Sequence, residues 1–184
     1  MDLESHMIEP PSELRTERLL LRAPVMDDAE AILSEYAADP DVTRYLTWTP
    51  HKELETVIEF LQELIDRRRS GEEFPWLLTL PNERRVIGMI TARVQAPRVE
   101  IGYVLGRKYW SQGFMTEAIS AVAEWWLSRP GIFRISAVCD TENVGSARAL
   151  DKAGFKREGE LSRWIVLPNR SSEPRDCYIY GRVR

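Results

Sequence analysis

The sequence predicts a mixed α/β domain: a central, strongly twisted, mixed β-sheet of six to seven strands with helices on both faces. Three observations lead there. Two amphipathic helical stripes open the chain, strand-like segments fill its middle, and the remainder alternates strand and helix before a closing pair of strands. A meander followed by alternation puts antiparallel and parallel pairings into one sheet, and crossover helices cover both sides of it. The twist is the right-handed one that strands carry intrinsically.

Leu19-Leu20-Leu21, between Arg18 and Arg22, reads as a short strand. Asp27 and Asp28 start a helix striped by Ala29, Ile32, Leu33 and Tyr36 and stopped by Pro40. A second stripe, Val57, Phe60, Leu61, Leu64 and Ile65, runs to Gly71. Arg67-Arg68-Arg69 closes it at the negative helix end and reads as a solvated terminus, not a nucleic-acid patch. Residues 74–80 and 85–94 are expected as strands joined at the turn Pro81-Asn82, and 99–105 as a third. Helix is expected over 114–127, strand over 133–138, helix over 143–153 ended by Gly154, and a hairpin from 155–166 and 176–183.

At 184 residues the chain is one domain's worth, and 43% hydrophobic with 29% charged residues argues against disorder. No apolar run approaches the roughly 18–20 residues of a membrane helix, and no signal-peptide pattern is seen, so no membrane association is expected. Ser5-His6-Met7 reads as a cloning scar, which leaves residues 1–6 as a leader and 7–184 as the domain. Losing Asp2 and Glu4 takes the formal charge from −4 to −2, a poor balance for gripping nucleic acid. Cys139 and Cys177 sit in strand-like apolar surroundings and read as buried free thiols of a cytoplasmic protein. His51 stands alone beside Pro50, and no metal is expected.

The chemistry concentrates at Trp110-Ser111-Gln112-Gly113-Phe114-Met115-Thr116-Glu117-Ala118, which follows a strand and opens an amphipathic helix. The free N–H groups of a first helical turn, backed by the helix dipole, make an anion site, and Gly113 lets a bulky phosphate approach the backbone. Alone, a glycine before a helix is more often only a turn. Gly102, inside the strand Glu100-Ile101-Gly102-Tyr103-Val104-Leu105, adds a second mark, of a bulge or a close backbone approach.

With Thr16-Glu17-Arg18-Leu19-Leu20-Leu21-Arg22 upstream and Asn143-Val144-Gly145-Ser146-Ala147-Arg148-Ala149-Leu150-Asp151-Lys152-Ala153-Gly154-Phe155 downstream, the sequence resembles the GNAT acetyltransferases. The likeness is to their ribosomal-protein N-acetyltransferase, RimJ/RimL-like, branch. It implies one GNAT-type domain whose sheet splays between its fourth and fifth strands. It implies transfer of acetyl from acetyl-CoA to a primary amine, a protein N-terminal α-amine or a small molecule, directly in a ternary complex. Backbone groups of Tyr103, Val104 and Leu105 would pair with the pantetheine arm, and amides of Gln112, Gly113, Phe114, Met115 and Thr116 would hold the pyrophosphate. Asn143 would meet the pantetheine or the adjoining phosphate, or serve only as an N-cap. Ser146 would lie near the thioester sulfur. A homodimer is compatible with the resemblance.

Two departures bear on the chemistry. Trp110 and Met115 replace the first and last residues of the superfamily's Q/R-x-x-G-x-G/A loop; the Trp is a feature of the branch. Leu150 stands where many members carry a Tyr that protonates the departing thiolate. Ser146 is then the candidate acid, against the plainer reading of a backbone-bonding helix serine. Glu100 is the candidate base, on the premise of a buried carboxylate, against that of a strand-end glutamate in a salt bridge. An α-amine is roughly 10–20% neutral at pH 7 and a Lys side chain roughly 0.04%, so a site this sparse suits the α-amine. Tyr45, Trp48, Trp164, Asn169 and Arg170 are the candidate acceptor contacts, with the loop over 167–174 overhanging the cleft as a gate. The alternative is a non-catalytic acyl-CoA-binding or regulatory module, suggested by Leu150. A nucleotide-phosphate loop would need a Lys after its glycines, which is missing.

Overall fold

The computed structural model describes residues 9–81 and 85–184. The expected leader, the start at Met7 and the Asn82 half of the Pro81-Asn82 turn lie outside the described residues. Eight strands, β1 (Glu13–Arg15), β2 (Leu20–Arg22), β3 (Glu73–Leu80), β4 (Arg85–Gln95), β5 (Arg98–Leu105), β6 (Arg134–Asp140), β7 (Lys156–Ile165) and β8 (Arg175–Val183), form one sheet in the order β1-β2-β3-β4-β5-β6-β8-β7. Every neighbouring pair is antiparallel except β5–β6, which is parallel. The mixed sheet is as expected. The count exceeds six to seven because Glu13-Leu14-Arg15, too short and polar to show a pattern, pairs with β2.

The helices are α1 (Ala29–Ile32), flanked by a 3-10 turn Met26–Asp28 and a π turn Leu33–Ala37, then α2 (Pro40–Thr43), α3 (Leu54–Ser70), α4 (Phe114–Leu127) and α5 (Val144–Lys152). Pro40 does more than stop a helix. It occupies the first turn of α2, where its missing N–H costs nothing, and the Asp39 carboxylate accepts from the Asp41 N–H. Of the basic run at the end of α3, Arg67 and Arg69 make ion pairs on the helix surface. Arg68 instead is half-buried, donating to the carbonyls of Pro10, Pro11 and Pro75 and lying over the Trp76 and Phe74 rings. The solvated-terminus reading therefore fails for Arg68.

Two apolar cores sandwich the sheet. Met115, Ile119, Trp126 and Leu150 of α4 and α5 pack on Trp76, Ile90 and Ile101. On the other face Ile32, Val57, Leu61 and Leu64 of α1 and α3 pack on Leu77, Met89 and Val104. Among the described residues no helix is long and apolar enough to cross a membrane.

Candidate active site

The sheet has one seam. β5 and β6 pair only at Arg98–Arg134, Val99–Ile135 and Glu100–Ser136. Beyond that register β5 stays with β4 as far as Leu105, and β6 stays with β8 as far as Asp140, so the two strands part and a cleft opens between them. Gly102 lies in this stretch in regular register with Thr91, and it is exposed. It marks the opening, not a bulge. The Gly106 N–H donates to the Ile87 carbonyl, so the alternation of an antiparallel ladder turns the backbone of Val104 toward β4 and that of Tyr103 and Leu105 toward the cleft. Of the three residues expected along the pantetheine, Val104 is thus already engaged within the sheet.

At the head of the cleft the loop before α4 carries two left-handed residues, Ser111 (φ 61) and Gly113 (φ 83). Turns of this kind gather N–H groups into a concavity, and no side chain caps the first turn of α4. The Trp110 indole N–H donates to the Leu105 carbonyl at 2.7 Å and the Gln112 amide to Lys108 at 2.8 Å, bolting the loop to the end of β5. Met115 sends its side chain into the core, leaving only its backbone at the loop.

Arg18, which the sequence shows only as part of a strand motif, is brought here by the β1–β2 turn. It donates to the Glu117 carboxylate at 2.7 Å and to the Gln112 carbonyl at 2.9 Å, and it lies 4.6 Å over the Phe114 ring. Its remaining terminal nitrogen would lie 3.3 Å from a Cβ placed on Gly113. A guanidinium is all donor, so it leaves the loop amides unsatisfied and adds positive charge beside them. That donor set fits an anion such as a diphosphate. Glu117 also accepts from the Thr16 hydroxyl at 2.5 Å and the Arg18 N–H at 2.8 Å. Burial works to raise this carboxyl, but the bonds from Thr16 and Arg18 outweigh it and hold it below its ordinary value. Glu117 is an anchor for the loop.

α5 begins on the far side of the cleft. Asn143 is its N-cap, accepting from the Ser146 N–H at 3.1 Å. The Ser146 hydroxyl lies 2.7 Å from the Tyr103 phenol, across the seam from α5 to β5. Cys139, on β6, is buried beside Ser146, and burial pushes its thiol up to about 11, which leaves it protonated and no nucleophile at neutral pH. Leu150 is wholly buried in the core.

Glu100 stands on the opposite face from Tyr103, as strand alternation requires. The premise of a buried carboxylate is corrected: its side chain is 55% exposed and pairs with Arg93 at 3.6 Å. Arg93 in turn bridges to the buried Glu73 at 3.3 Å. Tyr45, Asn169 and Arg170 assemble near the start of α5, and Trp48 is tied to them by its backbone carbonyl while its ring stacks on His51. The Asn169 amide donates to the carbonyls of Thr43 and Trp48, both at 2.7 Å, Arg170 lies 5.4 Å over the Tyr45 ring, and the Tyr45 hydroxyl donates to the Glu142 carbonyl. Arg170 also pairs with Glu142. The loop expected as a gate is tied down by these bonds. Trp164 is 57% exposed, and among the described residues no hydrogen bond or ring contact joins it to that group.

Residues 18–156 match the acetyltransferase (GNAT) domain family. The chain is 33% identical over 174 residues to the uncharacterized N-acetyltransferase YoaA of Bacillus subtilis, covering 93% of this chain and 96% of that one. It is 25% identical to the ribosomal protein uS5-alanine N-acetyltransferase of Escherichia coli, over 86% of this chain and 85% of that one. A GNAT acetyltransferase crystal structure from Bacillus anthracis superposes with a TM-score of 0.80 at 28% identity, covering 93% and 98% of the two chains. A seam opened between parallel strands, an uncapped donor loop at its head and a family match over most of the sequence agree: the chain belongs to the GNAT acetyltransferases, enzymes that use acetyl-CoA to acetylate an amine.

Proposed function

We propose that this N-acetyltransferase works on a weakly basic primary amine of the kind found at protein N-termini, by direct transfer in the β5–β6 cleft. Acetyl-CoA, when bound, supplies the acetyl group as a thioester. The amides of residues 112–116, with Arg18 beside them, would hold its diphosphate. The cleft-facing backbone of Tyr103 and the N–H of Leu105, whose carbonyl holds the Trp110 indole, would run along the pantetheine, Asn143 would border it, and Ser146 would meet the sulfur. Glu100 would receive the proton of the amine from the opposite face of the sheet, with Arg93 keeping its carboxylate in place. Tyr45, Trp48, Asn169 and Arg170 would contact the acceptor, and Trp164 would stand at the rim.

The observation that carries this reading is the end of parallel pairing after Glu100 and Ser136, which leaves backbone of β5 facing an open cleft beside a helix start that no side chain caps. The preference for an α-amine rests on proton chemistry. An exposed, ion-paired Glu100 offers modest help, enough for an amine with a pKa near 7.7–8.0 and too little for a Lys side chain near 10.4. The relative named for an alanine of uS5 points the same way, since the α-amine is the one amine alanine has. A cytoplasmic location and a homodimer belong to the same proposal, the latter read by sedimentation of the purified chain.

The deciding experiment is thiol release from acetyl-CoA against peptides with free N-termini, N-terminally blocked Lys peptides and small amines. Free α-amines should release thiol fastest. Release with the blocked Lys peptides alone would overturn the α-amine assignment. Coenzyme binding with no release from any amine would favour the binding-module reading that the buried Leu150 keeps open.

A further inference from the structure

We propose that Tyr103 is a positioning residue: its phenol donates to the Ser146 hydroxyl, so that the hydrogen of Ser146 turns into the β5–β6 cleft toward the sulfur of the acyl donor. The inference rests on the function proposed above and adds a residue to it. The distance between the two oxygens, 2.7 Å, is that of a good O–H···O bond, and by geometry either oxygen can donate. Chemistry decides the direction. A phenol is a far stronger acid than an aliphatic alcohol, and hence the better donor, while the alcohol is the better acceptor. With its oxygen so occupied, Ser146 has one hydrogen left to place. A helix serine often gives that hydrogen to a carbonyl of the preceding turn, but Ser146 sits at the start of α5, behind Asn143, where the preceding residues belong to the loop from β6.

The surroundings set the protonation of both groups. Burial pushes the Tyr103 phenol up, partly countered by the bond to Ser146, with Cys139 and Tyr180 as its other titratable neighbours. Tyr103 therefore keeps its proton at neutral pH. Cys139 takes a hydrogen bond from Ser146, which partly counters the burial that pushes its thiol up to about 11; a thiol sulfur is a weak acceptor, so the sulfur of the acyl donor would compete for that hydrogen. Tyr103 itself is fixed in place by its ring, which packs against the α4–α5 core.

This arrangement answers the loss of a phenol at Leu150. The phenol is present, but it comes from β5 and acts through serine. As the amine nitrogen bonds to the acetyl carbon, the carbon–sulfur bond breaks and its electron pair leaves with sulfur. The Ser146 hydrogen stabilises that pair, and the proton released by the amine returns to sulfur through solvent. Tyr103 and Ser146 end the cycle with the protons they began with.

Two measurements test it. With tyrosines labelled at the ring carbon bearing oxygen, Ser146→Ala should move one of the six tyrosine resonances, and in the wild type that resonance should titrate above the ordinary tyrosine value of about 10. In steady-state kinetics Tyr103→Phe and Ser146→Ala should each lower kcat about tenfold with KM for acetyl-CoA little changed, the mark of an interaction made in the transition state. The double variant should be no slower than Ser146→Ala alone. A hundredfold loss in the double variant, wild-type kcat in Tyr103→Phe, or no resonance moved by Ser146→Ala overturns the inference. The resonance measurement stands alone if Tyr103→Phe fails to fold. A wild-type protein that neither binds coenzyme A nor releases its thiol overturns the acetyltransferase reading instead, a separate result.

Discussion

Glu117 occupies the first turn of α4, where the helix dipole alone would account for an acidic side chain. The structure gives it more to do. One carboxylate takes bonds from the Thr16 hydroxyl, the Arg18 N–H and the Arg18 guanidinium, fastening the N-terminal turn to the donor loop. Glu117→Gln, which loses the charge and opposes Arg18 with an amide donor, should destabilise the fold by about 1–3 kcal/mol at pH 7. Acid should narrow the difference. Because the folded carboxyl lies below its unfolded value of about 4.3, its contribution is whole above roughly pH 5 and drains away as the pH falls. Urea midpoints at pH 7 and pH 4 check this; a gap that widens in acid would count against the anchor. This residue also shows where sequence reading stops. The loop from Gln112 to Thr116 is local and could be read directly, whereas Arg18 and Glu117 are 99 residues apart and Tyr103 and Ser146 are 43 apart. Side-chain pairings over such separations leave no periodicity. For Glu100 only the premise of burial failed, for a related reason: its position on β5 was legible, but its exposure depends on what covers that face of the sheet, where it meets Arg93 of the neighbouring strand.

At the scale of elements, α4 was legible to the residue, because an apolar stripe between Gly113 and Ser128 has a clear period. β1 was not, since three residues carry no period. The seam between β5 and β6 lies between these cases. A strand that leaves its neighbour has the composition of one that stays, so the seam came from family resemblance, with Gly102 as its one local mark. That glycine permits a clean test. A Cβ there would meet nothing nearer than the Thr91 hydroxyl at 3.6 Å, an ordinary contact, and the strand backbone there is compatible with any residue. Gly102→Val should therefore fold as well as the wild type, or slightly better, given the entropic cost of a strand glycine. At the same time its side chain would crowd the mouth of the cleft and raise KM for the amine at least tenfold, about 1.4 kcal/mol. A variant with unchanged KM and unchanged melting would mean that the acceptor approaches elsewhere.

For the molecule as a whole, two cores are joined through a sheet that is continuous except at one seam, and the donor loop, β5 and α5 all border that seam. A ligand that spans all three adds to the links that Trp110 makes between the loop and β5 and that the Tyr103–Ser146 bond makes between β5 and α5. Binding to the folded state alone stabilises by mass action, about 2.7 kcal/mol at a hundred times Kd, which for a domain of this length raises Tm by about 5–11 °C. Coenzyme A should produce that rise. ADP, which carries a diphosphate but no pantetheine to lie along β5, should give a smaller one at the same concentration. Gly113→Val should abolish both, since φ 83 is strained for valine and the added side chain would press on Arg18 and the space before the amides. The comparison separates the two halves of the site. Equal shifts with ADP and coenzyme A would reduce the cleft to a phosphate loop with no use for the open strand. A full coenzyme A shift in Gly113→Val would move the diphosphate away from α4 altogether.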